Sequence, residues 1–312
     1  MTRNDPPRGR GPKFRGGASG GSGRGRLNDG PGNGRGNGRG DGPGFGPGAR
    51  PASRPASRPA SRPGSRPPLR VFTTTLWEYP SQHYDGASAV MQGDKDYAGA
   101  TPSWVIWQVL TRYTRPNDVV VDPMCGSGTT LDVCSDLGRR GVGFDLAPTR
   151  DEITQADARE LPLDDASVDF AFVDPPYSTH IDYSDDPRCI GKLDAGAEPK
   201  NPSEGEPAGA AYYEAMEETI SELDRVLRPG RYCAVYVSDS WRNRKGAKGG
   251  IFMPIGFELF AIARDYLEPV DIVSVVRQNA KLKRGNWHKA AEEGNFFLRG
   301  FNYLMIFRKP RG

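Results

Sequence analysis

The chain contains no run of 18 apolar residues and no hydrophobic leader, so it offers neither a membrane-spanning helix nor a secretory signal. It is expected to be soluble and cytoplasmic, with no membrane partner. Cysteine is scarce: Cys125, Cys134, Cys189 and Cys233 are scattered without a CxxC pair, and there are only three histidines. That pattern excludes a zinc site and a disulfide framework. No metal is expected, the thiols should be reduced, and Cys134 should lie in the core.

A third shortage is local. From Met1 to Arg70 there is hardly an aliphatic residue before Leu69, the segment being built mainly of Gly, Pro, Arg, Ser and Asn. Such a composition cannot bury enough apolar surface to offset chain entropy. Residues 1–70 are therefore expected to form a disordered tail, and residues 71–312 a single domain with a sizeable core. Charge divides the same way. The tail carries 15 Lys/Arg against three Asp and the remainder 27 against 36 acidic residues, so the overall +3 conceals a basic tail on an acidic domain. Gly/Arg segments such as Arg35 to Gly40 are followed by an Arg-Pro-Ala-Ser repeat from Arg50 to Arg66, whose prolines favour extended chain. Two readings of the tail stand level: a nucleic-acid tether whose grip weakens with salt, and a solubilising extension.

After Arg70, short apolar runs alternate with amphipathic stretches, the pattern of an α/β domain with a mainly parallel sheet. Strands are expected at 119–121, 142–145, 168–173, 232–237, 270–276 and 301–307, with a weaker seventh near Thr154. Helices are expected at 104–113, 129–137, 211–227 and 254–266, the third ending at Leu227-Arg228-Pro229-Gly230. The polar, basic stretch Gln278 to Gly294 is expected to be an irregular loop.

The residues with most chemical content stand at two strand ends. Val119-Val-Val-Asp-Pro-Met-Cys-Gly-Ser-Gly-Thr-Thr130 runs from a buried strand through a glycine turn directly into a helix. The glycines let the backbone approach a ligand, and the helix start favours a carboxylate or phosphate. Asp145 closes the next strand, placed to accept hydrogen bonds from a ribose diol. Asp157 follows the weak third strand, where a carboxylate can accept from an adenine amino group. Asp174-Pro175-Pro176-Tyr177 ends the fourth strand, and its two prolines fix φ and stop the strand at the carboxyl edge of the sheet, where open α/β folds bind ligands.

Taken together, Asp122 to Thr130 and Asp174 to Tyr177 resemble the paired motifs of the DNA amino-methyltransferases that modify adenine N6 or cytosine N4. The resemblance runs from about Gly99 to about Lys309. It implies a Rossmann-like, doubly wound class I methyltransferase fold, S-adenosylmethionine as cofactor, and nucleic acid as partner, DNA before RNA. By resemblance, Asp122, Pro123, Cys125, Gly126, Ser127, Gly128, Thr129, Asp145 and Asp157 surround the cofactor, and Thr101-Pro102 helps close its pocket. The resemblance also gives Asp174 and the Pro175 carbonyl the two hydrogens of the target amine, lets Pro176 fix their geometry, and stacks Tyr177 on the base.

No separate target-recognition region has room in the chain, which leaves three loops as substrate contacts: Ser178 to Gly209, Arg242 to Lys248 and Gln278 to Gly294. The first is acidic and is expected to be a lid. In the last, Trp287 and His288 are candidates for stacking on bases. Competing functions are an RNA guanosine-N2 methyltransferase, a protein glutamine methyltransferase, and a non-catalytic nucleic-acid binder on the same fold.

Overall fold

The computed structural model describes residues 66–86, 91–94, 96–243, 250–278 and 285–311. The tail over residues 1–65 lies outside them, as do the basic positions Arg244 to Lys248 and Lys281 to Arg284. Among the described residues the chain runs β1 (Leu76–Trp77), α1 (Ser103–Tyr113), β2 (Val119–Asp122), α2 (Thr129–Asp136), β3 (Arg140–Asp145), β4 (Ile153–Gln155), β5 (Val168–Val173), α3 (Ala210–Val226) and β6 (Leu227–Val237). It continues with β7 (Ser240–Asn243), β8 (Gly250–Met253), α4 (Ile255–Ala263), β9 (Glu268–Val276), α5 (Gly285–Gly294) and β10 (Phe301–Arg308).

Eight strands make one sheet in the order β1-β9-β10-β6-β5-β2-β3-β4, and β7 pairs with β8 in a separate hairpin. β10 is antiparallel to both neighbours, whereas the pairs of β2 with β3 and β5, β3 with β4, and β5 with β6 are parallel. The fold is thus the expected Rossmann-like, doubly wound α/β domain. From β2 the chain builds outward through β3 and β4, then returns to β5 on the other side of β2. The reversal opens a crevice at the carboxyl ends of β2 and β5, where such sheets bind ligands.

The central strands are apolar on both faces because helices cover both. Val120, Phe170 and Phe172 pack with Trp104, Val105 and Val109 of α1 and Val133 of α2. Val121, Ala171 and Val173 face the other way, toward Tyr212, Met216, Ile220 and Leu223 of α3 and Leu259 of α4. The period of two along β2 and β5, in register Val120 with Phe170 and Val121 with Ala171, sets both layers. No helix of the described residues is long and apolar enough to cross a membrane.

The structure corrects two expectations and bears out a third. Gln278 to Gly294 is not wholly irregular: residues 285–294 form α5, with an i,i+4 ion pair between Lys289 and Glu293. No residue of α5 is buried, and its short apolar stripe of Trp287, Ala290 and Ala291 is set among polar and charged residues that read as a loop. α3 ends at Val226, where the helix was expected to stop, but Arg228-Pro229-Gly230 is not a connection between helix and strand. β6 begins at Leu227, and Gly230, at φ +76°, sits where the β5–β6 register shifts, a bulge within the strand. The weak strand near Thr154 is present as β4.

Candidate active site

The turn after β2 is held by its own carboxylates. Asp122 accepts from Thr130 Oγ1 at 2.5 Å and from the Met124 N–H at 3.1 Å, folding the first residue of the turn onto the helix that follows it. Asp145, at the end of β3, accepts the Gly126 N–H at 2.9 Å through one oxygen and the Ala147 N–H at 2.9 Å through the other. Gly126 (φ +51°) and Gly128 (φ +78°) supply the left-handed conformations the turn needs.

Around this turn lies a cavity that opens to solvent. Of the residues assigned to cofactor or catalysis from sequence, Thr101, Asp122, Pro123, Cys125, Gly126, Ser127, Thr129, Asp145, Asp157, Asp174 and Pro176 line it. Gly128 does not. It faces Arg150, whose guanidinium is bound to Asp132, and serves the shape of the turn. Tyr97, Tyr183, Ser184 and Ile190 also line the cavity; the first three lie in irregular segments and Ile190 opens a single 3-10 turn, so none gave a sequence signal. The expected lid segment, residues 178–209, supplies the last three.

Charge decides what this cavity can take. Its described lining contains four carboxylates, Asp122, Asp145, Asp157 and Asp174, and no Lys, Arg or His. A glycine turn before a helix usually suggests a phosphate, yet here the Gly126 N–H is already given to Asp145. Acids without basic partners in the lining disfavour a diphosphate and favour a ligand with cationic and hydrogen-bond-donating groups. Asp157 is paired bidentately with Arg159, through Nε at 2.9 Å and Nη2 at 2.7 Å, and those hydrogen bonds hold its carboxyl below the usual range.

A second cavity adjoins the first. Tyr177, Pro102, Trp104, His180, Tyr236, Trp241, Arg277 and Asn302 are among its walls, and Asp174, Gly99, Ala100 and Tyr183 belong to both cavities. Asp174 therefore stands on the partition. Thr101 Oγ1 donates to its Oδ2, and the Tyr177 hydroxyl donates to its Oδ1 at 2.7 Å, receiving in turn the Asn302 Nδ2–H at 3.3 Å. The Pro176 carbonyl is occupied by the Tyr212 hydroxyl at 2.8 Å and the Ser178 N–H at 3.0 Å. The Pro175 carbonyl has no hydrogen-bond donor among the described residues. Two buried polar atoms on the walls of the second cavity, Trp241 Nε1 and Asn302 Oδ1, also lack partners there. Buried polar atoms without partners are costly, so a polar ligand that satisfies them binds with an advantage.

Residues 48–156 match the N6/N4 methyltransferase family model, a DNA methylase family. The match covers about a third of the chain, taking in the glycine turn and Asp145 and ending before Asp174; it begins earlier and ends earlier than the span expected from the motifs. Among curated relatives, the Type II methyltransferase M.HinfI of Haemophilus influenzae is 31% identical over 70 residues, 22% of this chain and 20% of that protein. The Type II methyltransferase M.MjaII of Methanocaldococcus jannaschii is 33% identical over 58 residues, 19% of this chain and 11% of that protein. The chain thus spans about a fifth or less of these relatives' length. Among solved structures, a SAM-dependent methyltransferase of Methanosarcina mazei superposes with a TM-score of 0.40 at 14% identity, covering 65% of this chain and 98% of that one.

Burial pushes the carboxyls of Asp122 and Asp174 up to about 7, against the hydrogen bonds from Thr130 and Met124 to the first and from Thr101 and Tyr177 to the second. A pKa raised from 3.8 by folding means that the native state binds more protons across that interval. Its contribution to stability is full below about pH 4 and is lost as pH rises through about 7. Asp174→Asn removes one such titration. The melting temperature of that variant relative to wild type should therefore increase from pH 5 to pH 8, equivalent to about 2 kcal/mol. A difference that stays flat in calorimetry across that range would show that Asp174 keeps an ordinary carboxylate pKa.

Proposed function

We propose that the domain methylates an exocyclic amine of a nucleic-acid base, adenine N6 or cytosine N4 of DNA, with S-adenosylmethionine as donor. The observation that carries this reading is the position of Asp174 on the wall between two cavities, next to a Pro175 carbonyl that has no donor among the described residues.

Bound in the first cavity, S-adenosylmethionine would supply an electrophilic methyl group on a cationic sulfur. The residues present fit it: the carboxylates suit a cation and its donor groups, Asp145 and Asp157 retain free lone pairs for hydroxyl and amino hydrogens, and the Tyr97 ring covers the glycine turn. In the second cavity, a base is placed with its amine at Asp174. The amine of adenine or cytosine is flat because its lone pair is conjugated with the ring. When the Asp174 carboxylate and the Pro175 carbonyl accept its two hydrogens, the nitrogen is drawn toward a pyramidal shape and the lone pair turns toward the first cavity. Thr101 and Tyr177 hold the carboxylate in that orientation, so the gain is one of positioning and charge placement. A base inside a duplex cannot reach Asp174, so duplex substrate must present it flipped out.

One observation favours a second reading. With its amide oriented as described, Asn302, a wall residue of the second cavity, keeps a buried Oδ1 that has no donor among the described residues. The ring nitrogen beside the amine is an acceptor in adenine and cytosine but an N–H donor in guanine, which suits guanosine N2 of RNA. Incubation with methyl-labelled S-adenosylmethionine and, separately, duplex DNA, single-stranded DNA and total RNA, followed by digestion to nucleosides, separates the two. N6-methyladenosine or N4-methylcytidine of the deoxy series supports the leading reading. Label confined to RNA guanosine replaces it with the second, and label in no nucleic acid despite cofactor binding overturns both.

A further inference from the structure

Phe297 is 88% exposed and Phe252, on β8, 45%. The two are joined by one cation. Arg299 donates from Nη2 to the Phe297 carbonyl at 2.8 Å and places its guanidinium over the Phe252 ring, 5.0 Å from the centroid. Next to them Trp241 of β7 stacks on Phe296, centroids 5.5 Å apart and planes 17° from parallel, which fastens the β7–β8 hairpin to the segment leading into β10. Trp241 is also a wall of the second cavity, together with Asp174 and Arg277. A surface of flat rings and guanidinium groups thus begins at the cavity and continues into solvent.

Exposed aromatic groups kept together in this way mark a contact surface. A protein-binding patch would set rings around an apolar centre, with cations at the rim. Here the cation lies over one ring and is bonded to the backbone of the residue that carries the other, an arrangement that serves bases by stacking and phosphates by charge. The excess of acidic over basic residues in residues 71–312 makes Arg277, on the cavity wall, and Arg299, over the Phe252 ring, the more significant.

We propose that Phe252, Phe297 and Arg299, set on the Trp241–Phe296 stack, form a platform for the unpaired nucleic-acid strand that flanks the target base. The rings stack on neighbouring bases and Arg299 neutralises a phosphate. The inference rests on the proposed function, because the cavity bordered by the platform is taken to receive the target. It makes an unpaired strand the better ligand than a closed duplex, and it assigns substrate contact to a hairpin and a strand-entry segment.

The test uses the full chain and a single-stranded oligonucleotide carrying 2-aminopurine beside the target base, read by anisotropy and by fluorescence quenching. The Phe252→Ala, Phe297→Ala double variant should bind about 10- to 100-fold more weakly and lose the quenching, with the salt dependence unchanged, because the lost contacts are stacking and not charge. Arg299→Ala should make the slope of log Kd against log salt shallower by about 0.7, the release of one counterion from single-stranded nucleic acid. Calorimetric affinity for S-adenosylmethionine should be unchanged in both, which verifies the fold. Binding of the double variant within twofold of wild type, with quenching retained, overturns the platform while leaving the proposed function intact. A wild-type chain that binds neither DNA nor RNA strand overturns both, and a dimer in sedimentation that Phe297→Ala dissolves assigns the surface to a second copy.

Discussion

Asp174→Ala should lower the single-turnover rate of methyl transfer by about 10³-fold or more while leaving the S-adenosylmethionine Kd within about threefold of wild type. The carboxylate reaches both cavities, but the first has three other acids and the turn backbone to hold its ligand, whereas the amine in the second would have Asp174 and a single carbonyl. Removing Asp174 leaves one acceptor for two hydrogens, and the amine stays flat. The isosteric Asp174→Asn change is graded and therefore more informative. Its amide oxygen still accepts one hydrogen, so part of the rate should survive, about a tenth to a hundredth. The pH profile should change with it. A carboxyl pushed up to about 7 by burial is protonated, and cannot accept both contacts, in much of the population below that pH. Wild-type kcat/KM should therefore rise through about pH 7 and level off above it, and the Asn variant, having nothing to titrate at that position, should be flat. A wild-type rate independent of pH between 6 and 8, or full activity in the Ala variant, would take the reaction away from Asp174.

Most of the sheet was legible because β2 and β5 are apolar at every position except Asp122 and Asp169 and are followed by residues that punctuate strongly, Gly126 and Gly128 after one and Pro175-Pro176 after the other. The same local rules place Asp122, Asp145 and Asp174 at carboxyl ends of neighbouring strands, so their convergence follows from parallel order alone. What could not be read depends on contacts between distant segments. Tyr97 and Tyr183 belong to irregular chain, and nothing near them in sequence shows that they meet over the glycine turn and Asp174. Tyr177 was expected as a base-stacking ring, and its ring does line the second cavity, but the hydrogen bond of its hydroxyl to Asp174 and the support from Asn302 become visible only when β10 is set beside β6. The α5 helix escaped for the opposite reason: with no residue buried, only Trp287, Ala290 and Ala291 mark an apolar face, too short a period to stand out in a polar stretch. Trp287 and His288, the expected stacking pair, lie on that helix, while the aromatic surface beside the cavity comes from Trp241, Phe252, Phe296 and Phe297, which no single stretch of sequence brings together.

Gly126→Val should abolish measurable S-adenosylmethionine binding, a loss of about 100-fold or more in Kd, because three costs fall on one position. At φ +51° a β-branched residue is strained by about 1–2 kcal/mol. A Cβ built at Gly126 would stand 2.9 Å from the Tyr97 hydroxyl and 3.0 Å from its ring, so the ring must leave the turn it covers. The remaining methyl groups would enter the cavity itself, against the space that Asp122 and Asp145 border. Strain alone can be separated from occlusion with Gly138, which has the same kind of backbone, φ +68°, but nothing within 4 Å of its Cβ position. Gly138→Ala should cost about 1 kcal/mol of stability and leave cofactor affinity unchanged. Tyr97→Ala on the Gly126→Val background removes the clash that the valine makes with the ring but not its entry into the cavity. If that double variant folds as stably as Gly138→Ala yet still fails to bind in calorimetry, the glycine is required for the space it leaves to the ligand. Recovery of binding in the double variant would instead assign the effect to displacement of Tyr97, and unimpaired binding by Gly126→Val itself would remove the cofactor from this cavity.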